Sequence, residues 1–90
     1  MIEWKIIMKI GVAGSVESND TLITIQPAEQ LTIEITSIVD AFFHDQIEKV
    51  ILDTLKEYHL DNVKVVCQDK GALDYTIKAR LVTAIKRMEE

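Results

Sequence analysis

The chain changes its hydrophobic period about halfway along, and that change restricts the folds open to it. Leu31, Ile33 and Ile35 alternate with Thr32, Glu34 and Thr36, the period of a strand with one dry face and one wet one. Farther on, Phe43, Ile47, Val50, Ile51, Leu55 and Tyr58 recur at spacings of three and four, an apolar stripe of about four helical turns. A sheet dry on one side must be covered, and such a stripe can cover it. Upstream, Val12, Gly14 and Val16 alternate with Ala13 and Ser15 until Glu17-Ser18-Asn19-Asp20 breaks the pattern, and Thr21-Leu22-Ile23-Thr24-Ile25 resumes it. Two strands around a Ser/Asn/Asp cluster predict a hairpin, because Asn and Asp tolerate the positive φ of tight turns. The segment from Gln26 to Gln30 holds the only proline and predicts a second turn. Asp40 is placed to cap the first helix, and His59-Leu60-Asp61-Asn62 ends it. Val63, Val65 and Cys67 predict a further strand. Asp69-Lys70-Gly71 then turns into a second helix with Leu73, Ile77, Leu81, Ala84 or Ile85, and Met88 on one side. Lys78, Lys86 and Arg87 occupy its polar side, weighted toward the C-terminal end, where they suit the helix dipole. The expected architecture is an α+β two-layer sandwich in β-β-β-α-β-α order: an antiparallel hairpin or meander plus one further strand, packed against two helices.

Size and charge exclude several classes of function. Ninety residues make a single domain, which buries roughly 60–65 % of its unfolded surface and leaves little room for an enclosed active site. A net charge of −5 disfavours binding to a phosphate backbone, so no nucleic-acid partner is expected. The single Cys67 cannot form an internal disulfide, which fits a reducing compartment. No apolar run approaches the ~20 residues that span a bilayer, and the first eleven residues are too short and interrupted for a secretory signal. A cytoplasmic protein with no membrane partner is expected.

The side chains offer little for catalysis. His44 and His59 are isolated from any nucleophile, and no Ser/His/Asp or Cys/His set can be assembled. Cys67 reads as a small core residue. Asp53, Asp69 and Asp74 have no metal-ligand spacing, so no metal is expected. Asp69 or Asp74 suits the start of the second helix, where Gly71 eases the turn; the free amides there could instead hold a phosphate. Arg80 flanks the apolar stripe of that helix, where a surface or interface ion pair is expected and a hold on a bound phosphate is the alternative. Trp4 and Tyr75 are single aromatics that need no special role. Ser15 falls within a strand ladder and Ser37 at a strand end, both structural positions. Ser18 differs from them. It stands in a polar turn with no base beside it, a poor nucleophile that either serves the turn geometry alone or offers an attachment point.

Four segments in order carry a family resemblance: Ala13-Gly14-Ser15-Val16-Glu17-Ser18-Asn19-Asp20, Leu52-Asp53, Asp69-Lys70-Gly71-Ala72-Leu73-Asp74 and Ala79-Arg80-Leu81. Over residues 12–87 the chain resembles the acyl carrier (gamma) subunits of citrate lyase. The resemblance implies a subunit that is not catalytic alone, with phosphoribosyl-dephospho-CoA joined to Ser18 through a phosphodiester. It implies that the thiol of this arm presents acetyl and citryl thioesters to the transferase (alpha) and lyase (beta) subunits, which cleave citrate to acetate and oxaloacetate during citrate fermentation. A prosthetic-group transferase and an acetylating ligase would be further partners. Ordinary acyl carriers attach phosphopantetheine to an Asp-Ser-Leu serine at a helix start, and no Asp-Ser pair occurs in this chain. Met8-Lys9-Ile10 matches the usual start of the family, which leaves residues 1–7 as an extension or Met8 as the start. Trp4, Ile6 and Met8 could also begin an edge strand. Two other readings stay open. One is the carrier subunit of malonate decarboxylase; the other is an unmodified interaction module, a ferredoxin-like or similar sandwich that binds a partner through its sheet.

Overall fold

A computed structural model describes residues 9–38 and 43–90. The expectations for Trp4, Ile6, Met8, residues 1–7 and the Asp40 cap lie outside them. The elements follow the expected order: β1 (Gly11–Gly14), β2 (Thr21–Pro27), β3 (Thr32–Ser37), α1 (His44–Glu57), β4 (Val63–Asp69) and α2 (Asp74–Met88). The four strands form one mixed sheet in the order β1-β2-β4-β3. β1 pairs antiparallel with β2, with Ala13 opposite Ile23. β2 pairs antiparallel with β4, with Ile23 opposite Cys67 and Ile25 opposite Val65.

Of the two forms expected for the first strands, the hairpin occurs and the three-stranded meander does not. β4 enters between β2 and β3 and runs parallel to β3, with Ile33 opposite Val65. Burial accounts for this order. Along β4, Val63, Val65, Cys67 and Asp69 are all buried, whereas β3 has no fully buried residue, as befits an edge. Parallel neighbours need a crossover connection, and α1 lies between β3 and β4 in the chain to make it.

Alternate side chains of β1, β2 and β4 point to the covered face, where Ala13, Ile23, Ile25, Val63, Val65 and Cys67 meet the two helices. From α1 come Ile47, Ile51 and Leu55; from α2 come Ile77, Leu81, Ala84, Ile85 and Met88. The ends of the predicted stripes fall outside this core, with Phe43, Tyr58 and Leu73 exposed. At Gly11 a Cβ would run into the backbone of α2 at Ala84, so glycine there allows β1 to lie directly against the helix. Lys78 pairs with Glu57 at 2.9 Å and links the two helices across their solvent side. Among the described residues no helix is long and apolar enough to cross a membrane.

Candidate functional site

The β1–β2 connection is held from three directions. At Gly14 the backbone turns to φ +95°, and a Cβ would collide with the Thr21 carbonyl oxygen across the ladder. The Ser15 amide then donates to the Thr21 carbonyl at 3.1 Å and closes the hairpin. Within the loop the Asp20 amide donates to the Glu17 carbonyl at 3.1 Å, making residues 17–20 a β-turn with Ser18 and Asn19 at its centre. Asn19 has φ +66°, the conformation for which an Asn/Asp-rich turn was expected. The turn is also tied to the strand-to-helix loop. The Asn19 amide donates to the Lys70 carbonyl at 2.8 Å, and the Lys70 amide donates to the Asp20 carbonyl at 2.9 Å. Two segments that stand about fifty residues apart in the chain are therefore neighbours in space.

The Asp20 carboxylate is the hub of this region. It accepts from Ser15 Oγ at 2.8 Å and from the Thr21 amide at 2.7 Å. Arg80, on α2, grips both carboxylate oxygens, Nε at 3.0 Å and Nη2 at 3.1 Å. The guanidinium fork foremost, then the Thr21 amide and the Ser15 hydroxyl, lower the Asp20 pKa to about 2. Arg80 thus makes the ion pair expected of it, and its partner lies in the serine turn.

The three serines sort by what their hydroxyls do. Ser15 donates to Asp20 and accepts from the Glu17 amide at 3.2 Å. Ser37 donates to Asp69 at 3.0 Å. Ser18 is exposed, and among the described residues its hydroxyl has no hydrogen-bond partner.

Asp69 and Asp74 divide the tasks expected at the helix start. Asp69 is buried, and its carboxylate accepts from the Gly71 and Ala72 amides, both at 3.1 Å, which shapes the loop rather than capping the helix. The cap position of α2 is Leu73, which has no side-chain cap bond; Asp69 lies too far upstream to serve. Asp74 occupies the first turn and accepts from Gln46 Nε2 at 2.8 Å. Two carboxylates already answer the amides and dipole at this end, which disfavours a phosphate there.

The remaining candidates lie apart from the turn. Asp53 pairs with Lys49 on the surface of α1 at 2.8 Å. His44 is exposed beside Asp45, and His59 stands just past the end of α1. Cys67 is fully buried against Thr21 Oγ1 at 3.3 Å, the core residue expected, and burial pushes its thiol pKa up. Tyr75 is well exposed. Sequence reasoning missed the centrality of Asp20, which reads only as one more polar turn residue. No local pattern links it to Arg80, sixty positions away.

Comparison with known proteins places this geometry in a family. The family model described as ACP, malonate decarboxylase delta subunit (MdcD), matches residues 8–88. The citrate lyase acyl carrier protein of Treponema denticola is 43 % identical over 84 residues, covering 93 % of this chain and 97 % of the relative. That of Lactobacillus acidophilus is 49 % identical over 80 residues, covering 88 % of this chain and 82 % of the relative. In shape, the chain is similar to one in the crystal structure of a Pseudomonas malonate decarboxylase hetero-tetramer in complex with malonate. The TM-score is 0.79 at 15 % identity, over 91 % of this chain and 86 % of that one.

Proposed function

The chain belongs to the citrate lyase acyl carrier protein family, and from that premise we propose that it carries acyl groups in a citrate lyase on a phosphoribosyl-dephospho-CoA arm attached to Ser18. It is a non-catalytic carrier subunit, and a carrier role implies a covalently attached arm. The observation that carries the choice of residue is the contrast between hydroxyls. Ser15 and Ser37 are engaged by carboxylates, while Ser18 is exposed at the centre of a braced turn and has no partner among the described residues. This environment fits the group: an exposed oxygen can accept a phosphodiester without burying charge, and Glu17, Asn19 and Asp20 leave the approach polar. When bound, the arm would supply a terminal thiol able to hold acetyl and citryl groups as thioesters, for transferase and lyase subunits that cleave citrate to acetate and oxaloacetate. A tether of this kind turns meetings with two active sites into intramolecular events at raised effective concentration. The domain contributes a rigid anchor and an acidic surface for docking. The attaching transferase and an acetylating ligase would meet the same turn and its arm. We assign the complex to the cytoplasm, in keeping with the free Cys67.

The test is an intact mass of the chain from its own cells grown on citrate, with fragmentation to place any addition. The expected result is the mass of phosphoribosyl-dephospho-CoA on Ser18, lost in Ser18→Ala and kept in Ser15→Ala. An unmodified chain would favour the interaction-module reading. A second carrier reading, the carrier of a malonate decarboxylase, is favoured by the family model's description and the shared fold. It predicts the same kind of arm but co-purification with malonate-processing subunits, so the enzymes that travel with the modified chain decide between them.

A further inference from the structure

A bidentate ion pair is more than a loop needs merely to reverse the chain. The pair is half-covered, with side chains 43 % exposed for Arg80 and 18 % for Asp20, and it lies outside the buried core. What the fork does supply is geometry. Arg80 reaches from α2 to the last residue of the turn, and its Cδ passes over Gly14, where a Cβ would approach it to 3.2 Å. Asp20 in turn holds Ser15 Oγ, whose lone pairs hold the Glu17 amide at the start of the β-turn. One cation thus fixes both ends of the four residues that display Ser18, through charge-assisted bonds whose directions leave little freedom.

We propose that Asp20 and Arg80 are positioning residues that keep the residue 17–20 turn in one conformation, with the Ser18 hydroxyl outward and the Ser15 hydroxyl engaged, so that attachment is rapid and confined to Ser18. This rests on the reading of Ser18 as the attachment point. In the attachment step, Ser18 Oγ forms an ester bond to a phosphorus of a phosphoanhydride-activated arm donor. The anhydride P–O bond breaks, the leaving phosphate group takes the electron pair, and the hydroxyl proton passes to a base on the transferase. Asp20 is unsuited to be that base, because its oxygens are taken by four donors and Arg80 keeps its carboxyl acidic. A turn ordered before the encounter needs no ordering during it, so its order appears in the rate of attachment.

The experiment loads purified unmodified carrier with the attaching transferase and its phosphoanhydride donor, following mass against time and mapping the addition by fragmentation. Amide exchange of the same free carriers is measured without the transferase. Arg80→Lys keeps the charge and loses the fork; Asp20→Asn keeps the shape and loses the charge. Both side chains are partly buried, so circular dichroism verifies folding at the assay temperature. Expected are initial loading rates at sub-saturating carrier at least about tenfold below wild type. The Asn19 and Asp20 amides should exchange at least about tenfold faster, while those of Ile23 and Val65 are unchanged. Wild-type loading rates in both variants overturn the proposal. Slow loading with unchanged exchange overturns it too, because the side chains would then act by touching the transferase. Ser18→Ala separates the two levels: an addition that persists there removes the attachment reading itself, whereas a blank Ser18→Ala beside rapidly loaded Arg80→Lys and Asp20→Asn removes only the positioning pair.

Discussion

Asp20 accepts from a guanidinium fork, a backbone amide and a hydroxyl, and each favours the charged carboxylate over the acid. Its pKa falls from the usual 3.8 to about 2. A carboxyl with a depressed folded-state pKa contributes stability that is present above the unfolded value and is lost as pH falls through the folded one. The turn should therefore keep its order at neutral pH and loosen between about pH 4 and pH 2. An NMR titration of the Asp20 carboxyl carbon should give a midpoint near 2 in the native chain and a higher one in Arg80→Met. Equal midpoints would show that Arg80 is not the cause. Gly14 offers a second check at this scale. With φ +95° and the Thr21 carbonyl where a Cβ would sit, Gly14→Ala should lower stability by about 1–3 kcal/mol in urea unfolding. Neither feature was legible beforehand. Gly14 reads as one more position in an alternating strand, and the Asp20–Arg80 pair joins residues that no local periodicity connects. The polarity around Ser18 was legible, because a turn that excludes apolar residues records its own exposure.

Helix α1 shows how an element is stopped, and where the stopping residue is suboptimal. The His59 amide donates to the Lys56 carbonyl at 3.1 Å and the Leu60 amide to the Leu55 carbonyl at 3.0 Å, the paired bonds of a Schellman ending. Leu60 then packs back on the core. The motif needs positive φ at its first residue past the cap, and His59 supplies it at φ +55° without the freedom of glycine. His59→Gly should thus stabilise the protein by about 0.5–1 kcal/mol, the relief of strain exceeding the entropy gained by the unfolded chain. A loss of stability in urea titration would mean that the imidazole makes a contribution of its own. The helix end was legible as a polar cluster, and all four strands and both helices follow from periods of two and 3.6. Their neighbours did not follow. An alternating pattern says which face is dry but not which edge is paired, so β3 could be read as the third strand of a meander, though β4 fills that place.

At the scale of the whole molecule, one buried cluster joins all the elements except the edge strand β3, whose Ile33 and Ile35 pack on it half-covered. A core this small has no spare part to lose, and a change anywhere in it should be felt everywhere. Cys67 can report on this. It sits at the centre of the sheet with no exposed surface, its thiol pKa is raised by burial, and only the thiolate attacks an alkylating reagent. Labelling of Cys67 must then wait for an opening of the core, and if the core opens as one unit that event is global unfolding. Ile51 is fully buried on α1, away from Cys67 in sequence and on a different element. Ile51→Ala should cost about 2–5 kcal/mol. It should also raise the rate of Cys67 alkylation by the matching factor, at least about thirtyfold, since about 1.4 kcal/mol is tenfold. The decisive comparison sets the free energy from urea unfolding beside that from labelling. Agreement means that helices and sheet stand or fall together, so the strands that carry the serine turn open only when the whole core does. A variant weakened in urea but unchanged in labelling would instead divide the molecule, with α1 opening while the sheet that holds the turn stays closed.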